Sequence, residues 1–380
     1  MFTDEQTMIR DTARSFARTV LKPGAAKREA NARIEPGVLS ALADAGFLGM
    51  TVPAELGGVG VDYVSYALAL MEIAAGDGAV STVVSVHNAP FLAILDRFGT
   101  SSQKDAWLKP AAAGEYIGCF ALTEASAGSD AAAIKTRARR VDAGYLIDGT
   151  KQFITSASIG KASIVFAVTD PAGGKRGISA FYVKHDKPGF SITSIERKLG
   201  QRASDTCSLA FENVQVASDN LIGKEGQGYS IALSSLEIGR IGIASQSIGM
   251  AQAALDIANR FAAERTSFGK LIRDHQAVAF RLADMDTKIE AARQLVLCTA
   301  RRKDAGLPCL REAAMSKLFA SEMAETVVSA AIQTLGGYGY VEDFGLEKIY
   351  QDVRVCQIYE GTSDIQRLLI GRELFSGGSR

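Results

Sequence analysis

Apolar residues along this chain change their spacing twice, and that double change limits the folds open to it. From Thr3 to about Gly114 they recur every three or four positions, the period of a helix face. From about Ile117 they fall into short runs or alternate, the pattern of strands, and after Gly226 the helical period returns and persists. Two helical segments enclosing one sheet segment predict an α+β protein: a helical domain over 1–116, an antiparallel β barrel or sandwich over 117–226, and a helical bundle over 227–380. A chain of 380 residues is long enough for such domains to carry full cores.

Within the first segment, Ile9, Ala13, Phe16 and Val20 mark one face of a helix expected to stop before Pro23. Pro36 opens a second helix, Gly46 ends it, and Val61 to Ala75 reads as a third. Thr51 to Gly58 is the loop between them. His87 and Asn88 fall in a later helix, where they read as a hydrogen-bonded pair. In the middle segment the predicted strands are Tyr145 to Ile147, Ser163 to Val168, Ile178 to Val183 and Thr206 to Phe211, separated by turn signals such as Asp148-Gly149 and Pro188-Gly189. No strand–helix–strand alternation surrounds a GxGxxG and no GxxxxGK[ST] occurs, so Rossmann and P-loop folds gain no support. The last segment predicts long helices over Ser230 to Arg260, His275 to Asp304 and Arg311 to Leu335.

Composition removes several function classes. With 42 basic against 42 acidic residues, no net field draws the chain to nucleic acid or an anionic membrane, and Arg301-Arg-Lys303 reads as a solvated helix face. Five cysteines without a CxxC pair predict free thiols, as small core residues, in a reducing compartment. Three histidines without HExxH predict no protein-held metal. The opening Met-Phe-Thr-Asp-Glu carries no leader pattern, and no apolar run of 18 residues is evident, so a cytoplasmic protein without a membrane span is expected.

Near the C-terminus, Ser363-Asp-Ile-Gln366 fits a capping box, and Ile365, Leu368, Leu369, Leu374 and Phe375 recur at helical spacing. Glu360 is thereby left on a connector just ahead of a helix, followed by Gly361. A carboxylate beside a residue without a side chain can lie against a flat ligand and take one of its protons. The plainer alternative is a carboxylate that interacts with the positive end of the helix.

The stretch Ile358-Tyr-Glu-Gly-Thr-Ser-Asp-Ile-Gln366 resembles the catalytic segment of the acyl-CoA dehydrogenases, and the resemblance extends over essentially the whole chain, nearest to the short-chain, butyryl-type branch. It implies the three-domain fold with a C-terminal four-helix bundle, FAD as cofactor, and Glu360 as the base that takes the α-proton of an acyl thioester. Phe120-Ala-Leu-Thr-Glu-Ala-Ser-Ala-Gly-Ser-Asp130 is similar to the family's flavin-binding segment, with Ala125 where proline is usual. There Phe120, Leu122 and Thr123 would line the flavin, and Ser129 would lie near both cofactor and substrate. Lys151-Gln-Phe-Ile-Thr-Ser156 resembles the Trp-Ile-Thr-Asn element, so Phe153 would replace the tryptophan, with Ile154 and Thr155 beside the ring near N5. In Leu236-Glu-Ile-Gly-Arg240, Gly239 stands where other branches place the base, while Glu237, Arg240 and Gly361 would be on the substrate side. Arg240 would lie where the CoA portion enters.

By the same resemblance Arg265, Ser267, Phe268 and Gln276 would contact the FAD of one subunit. Gln333, Gly336 and Gly337 would contact the adenylate half of an FAD bound mostly by a neighbour, and Thr362 and Asp364 would complete the cofactor contacts. A homotetramer built as a dimer of dimers is implied, with an electron-transfer flavoprotein as electron acceptor. Other readings stay open on the same residues. They are a branched-chain or acyl-carrier-protein thioester as substrate, a flavin monooxygenase or oxidase on this scaffold, and a non-catalytic flavin-bearing or nucleic-acid-binding scaffold.

Overall fold

The computed structural model describes residues 2–375. Thr3 caps α1 (Asp4–Phe16): its hydroxyl accepts the Gln6 N–H and the Gln6 side chain returns to the Thr3 N–H, each at 3.1 Å. The chain does not stop ahead of Pro23. It winds through a π turn (Ala17–Leu21) and a 3₁₀ turn (Lys22–Gly24) into α2 (Ala25–Asn31). Pro23 lies in the first turn of the 3₁₀ segment, where a missing N–H breaks no bond. The segment continues through α3 (Pro36–Asp44), α4 (Tyr63–Gly76), α5 (Gly78–Val86), α6 (Ala93–Phe98) and the short α7 (Ser101–Gln103) and α8 (Lys109–Ala112).

The run from Gly78 to Phe98 corrects one expectation, because by length and composition it could cross a membrane; 89% of its most apolar stretch is buried inside the protein, as a core helix would be. His87 and Asn88 sit in this run with their hydrogen bonds met by the protein. His87 Nδ1 accepts the Gly118 N–H at 3.0 Å and Nε2 donates to Ala111 O at 3.0 Å, while burial pushes the imidazole down to about 4 and keeps it neutral. Asn88 bonds the backbone of Met50, Phe47 and Val84.

The sheet segment holds β1 (Gly118–Ala121), β2 (Arg137–Val141), β3 (Gly144–Thr155), β4 (Ala162–Val168), β5 (Ile178–Lys184), β6 (Phe190–Ile195), β7 (Thr206–Val216) and β8 (Leu221–Ile222). Their order is β6-β7-β3-β2-β4-β5-β8, with β1 added on β4. The expected all-antiparallel sheet is in fact mixed, since β1 and β2 both pair parallel with β4. On β4 and β5, Ile164, Phe166 and Tyr182 pack toward the helices around Phe91 and Leu95. Val165, Phe181 and Val183 pack instead against Ile147, Leu209 and Phe211 of β3 and β7, so the sheet curls over onto itself. Burial on both faces is why β4 and β5 are legible as apolar runs. The charged β2 and the exposed edge strand β6 are not.

The bundle consists of α9 (Gly228–Glu264), a β9 (Thr266–Ser267)/β10 (Lys270–Leu271) hairpin, α10 (Gln276–Asp304), α11 (Leu310–Leu335), α12 (Leu346–Arg354) and α13 (Ser363–Phe375). Helix α9 is its spine, packed on α4, α10, α11 and β5. Four of the five cysteines are buried and free as expected, whereas Cys298 is exposed.

Small residues bring α9 and α4 together. A methyl group at Gly249 would overlap the carbonyl oxygen of Met71, while one at Gly37 meets nothing within 4 Å. Gly249→Ala is therefore expected to lower the thermal midpoint, at a cost of about 1–3 kcal/mol. Gly37→Ala, in α3, is the control and should hold or raise the midpoint by improving helix propensity.

Candidate active site

Between α12 and α13 the chain makes a turn that few residue pairs tolerate. Glu360 (φ +50°) and Gly361 (φ +96°) are successive left-handed residues, and glutamate adopts that conformation rarely. Donors behind the turn hold it: Gly361 O accepts from Lys317 Nζ at 2.7 Å and from Gln366 Nε2 at 2.9 Å. Gln366 also faces Glu360 O at 3.4 Å.

This arrangement dissolves the predicted capping box. Thr362 Oγ1, not Ser363, faces the Ile365 N–H, at 3.4 Å, while Ser363 Oγ is sealed without a partner among the described residues. The physical reason is competition. The turn carbonyls are buried and need donors, so they draw in the Gln366 amide that a capping box would use.

Glu360 does not turn toward the N-terminus of α13. Its carboxylate lies across α9 at Gly239, where a methyl group would overlap Oε2. Oε2 is sealed from solvent and, among the described residues, has no hydrogen-bond partner, although the residue as a whole keeps some exposure. Burial pushes this carboxyl from its ordinary 4.5 up to about 7, against the opposing pull of Arg240 and Lys317.

Arg240 is 3% exposed, with Nε and Nη1 unpartnered among the described residues, so it is a buried cation within electrostatic reach of Glu360 rather than a residue at a surface mouth. Glu237, one turn earlier, accepts from Lys303 Nζ at 2.9 Å and from the Cys309 thiol at 3.2 Å. Lys303 is thus paired, not simply part of a solvated basic face.

Behind the turn runs a buried polar chain. The Tyr359 hydroxyl donates to Gln246 Oε1 at 2.7 Å, and Thr82 Oγ1 donates to Gln201 Oε1 at 2.6 Å and lies 3.4 Å from Gln246 Oε1. Gln201 bonds Asp352 through both its backbone N–H and its side chain. Asp352 pairs with Lys348, Lys348 with Asp77, and Asp77 with Arg28. The loop carrying Gln201 also carries Asp205, which accepts the N–H groups of Ser156 at 3.1 Å and Ser158 at 2.7 Å. One loop therefore ties the end of β3, at Thr155, to α12, the helix before Glu360.

The loop after β1 is strapped to β3. Lys151 Nζ donates to Leu122 O at 3.0 Å and to Glu124 at 2.8 Å, and the Gln152 N–H donates to Thr123 O at 2.9 Å. Leu122 and Ile154 are core side chains, so only their backbones can meet a ligand, and Phe120 packs on Phe166 at 5.0 Å. Ser129 is exposed; Ala125 lies exposed in a tight turn closed by Glu124 and Ala127. Phe153 departs from the core role that is usual for an aromatic residue in a strand. The β3–β7 register is irregular between Lys151 and Ile154, and there Phe153 takes φ +59° and stands 58% exposed.

A third set of residues lines a cleft of about 660 Å³: Arg265, Ser267, Gln333, Gly336 and Gly337, with Tyr338. The Arg265 guanidinium stacks over Tyr338 at 5.5 Å, and both glycines leave their backbone open. Residues expected on two different FAD molecules thus share one surface of one chain. Gln276, at the start of α10, and Phe268, at the hairpin tip with φ +50°, are exposed. Thr362 is at the α13 cap, and Asp364 points outward.

Lys317, Gln246 and Gln201 escape a reading by motif. Lys317 alone leaves a signal: it interrupts the apolar stripe of α11 between Ala313 and Ala320, where a buried lysine needs a reason.

Family models for the acyl-CoA dehydrogenase N-terminal, middle and C-terminal domains match residues 3–115, 119–214 and 226–375. The chain belongs to the acyl-CoA dehydrogenase family, whose members are FAD-dependent oxidoreductases. It is 44% identical over 367 residues to the mitochondrial short-chain specific acyl-CoA dehydrogenase of Bos taurus, covering 97% of this chain and 89% of that protein. Among solved structures, it resembles butyryl-CoA dehydrogenase from Megasphaera elsdenii with a TM-score of 0.97 at 37% identity, covering 98% of this chain and 99% of the other. It also resembles a chain from the work on the electron transferring flavoprotein of Acidaminococcus fermentans, with a TM-score of 0.97 at 40% identity and 99% of each chain covered.

A carboxyl whose folded value lies above its unfolded one stabilises the fold fully only below about 4.5, and that contribution is lost as pH rises through about 7. Glu360→Gln removes the titration. Its thermal midpoint relative to wild type is expected to climb as pH increases between those limits, which paired melts across the range would show.

Proposed function

We propose that the chain oxidises a short-chain acyl-CoA thioester to the trans-2-enoyl-CoA, with Glu360 as the base. The observation that carries this is the sealed, unpartnered Oε2 of Glu360, held over Gly239 near neutrality between two buried cations. A carboxylate so placed is poised to accept a weakly acidic C–H proton. Among the described residues the Glu360 N–H donates to no protein acceptor, which leaves it free for the thioester carbonyl, whose polarisation acidifies the α-carbon.

The residues fit FAD. Phe153 offers an outward aromatic face at an irregular point of β3, Thr123 and Thr155 lie on strapped segments beside it, and the Arg265 cleft offers a stacked cation and open glycine backbone. When bound, FAD supplies the hydride acceptor for the β-carbon. Phe120, Leu122, Ser129 and Ile154 would contact it through that loop and strand, and Gln276, Gln333, Gly336, Gly337, Thr362 and Asp364 through the bundle. Ser267 and Phe268 belong with the Arg265 cleft, and Glu237, Arg240 and Gly361 with the substrate. An electron-transfer flavoprotein as acceptor is supported by the likeness to the Acidaminococcus chain. A dimer of dimers is supported by aromatics left in solvent on one chain, Phe268 and Tyr340 among them.

Anaerobic mixing of the FAD-loaded protein with butyryl-CoA is expected to bleach the flavin, and Glu360→Gln to slow bleaching by about 10²–10⁴-fold. Unchanged bleaching in that variant would remove Glu360 as base. Faster bleaching with isobutyryl, octanoyl or acyl-carrier-protein thioesters would reassign the substrate, and rapid oxygen uptake would point to an oxidase.

A further inference from the structure

Lys317 is fully buried on the inner stripe of α11, among alanines and serines. Its ammonium has three N–H groups and, among the described residues, one protein acceptor, Gly361 O at 2.7 Å. Burying a charge with so few partners is unfavourable, and an apolar side chain of the same length would fill the space more cheaply. What a lysine adds is that one bond, made to the peptide following Glu360, at a turn whose two left-handed residues are themselves disfavoured.

We infer that Lys317 is a positioning residue: by holding the Gly361 carbonyl inward together with Gln366, it fixes the turn that carries the Glu360 carboxylate over Gly239 and leaves the Glu360 N–H free. The inference rests on the dehydrogenase reading above and adds a residue to it. Lys317 also contributes charge. The groups that act on Glu360 are Arg240 from α9 and Lys317 from α11, and the Tyr66 hydroxyl of α4 in turn feels Glu360. Lys317 itself feels Cys356, Glu360, Arg240 and Glu322, and burial pushes it down to about 8, so it is still largely protonated at neutral pH. A cation there favours the ionised base.

The test compares FAD-loaded wild type with Lys317→Met, Lys317→Arg and Glu360→Gln by thermal midpoint, flavin content and the pH dependence of anaerobic bleaching by butyryl-CoA. For Lys317→Met the midpoint and flavin content should be held or raised, because a poorly partnered charge is removed. Bleaching per bound flavin should fall by about tenfold to a hundredfold, with half-saturation nearly unchanged, because a displaced base loses rate before affinity. The pH of half-maximal rate should move up, and Lys317→Arg, which keeps the charge, should return it toward wild type.

A wild-type rate per flavin and an unmoved pH profile in Lys317→Met would overturn the inference, whatever the midpoint does. If that variant does not fold, Lys317→Gln is judged by the same criteria. Failure of the underlying reading is recognised separately, by wild-type bleaching in Glu360→Gln.

Discussion

The contact on which the candidate site depends is a carboxylate laid over a glycine. Glu360 reaches α9 because residue 239 has no side chain, and any larger residue there would occupy the space of Oε2. The turn that delivers Glu360 is held from the opposite side by α11 and α13, through Lys317 and Gln366. The Glu360 carboxylate is therefore held among bundle helices rather than carried on a free loop, and its burial and electrostatics follow from helix packing.

Two kinds of buried charge coexist in this protein. Lys151 with Glu124, and the run Arg28, Asp77, Lys348 and Asp352, are paired within ion-pair distance and join elements far apart in sequence. Their role is architectural: one straps the Thr123 loop to β3, and the other braces the loop of Gln201 against the helix before Glu360. Glu360 and Arg240 differ in leaving buried polar atoms without partners. Unsatisfied polar groups inside a fold cost stability, so each calls for a physical reason.

Backbone strain follows the same division. Phe153, Phe268, Gln201 and Glu360 all hold positive φ without being glycine. Phe153 and Phe268 turn aromatic rings outward, Gln201 anchors the bridging loop, and Glu360 carries the sealed carboxylate over Gly239. Each is over-determined by its neighbours, as a bulge, a hairpin, an aspartate pair or a lysine clamp, which is what allows an unfavourable conformation to be kept.

The helical regions and the doubly buried strands were legible from apolar spacing, because burial imposes a period that composition cannot hide. Glu360 was legible because a carboxylate beside glycine, ahead of a helix signal, is an unusual local pattern. Other features were not, for identifiable reasons. The parallel pairing of β1 and β2 with β4 is a long-range choice of neighbour, and polar β2 and edge strand β6 bury too little to show a period. The cap at Ser363 failed because Gln366 was claimed by carbonyls that only the folded turn creates. By itself the amino-acid order determined which segments become helix or strand and which residue types stand at the connectors, since those depend on neighbours within a few positions. Only tertiary structure decided that Glu360 faces Gly239 from 121 residues away, that Arg240 is sealed beside it and that Lys317 holds its turn, because those contacts arise from the crossing of helices that have no local signature.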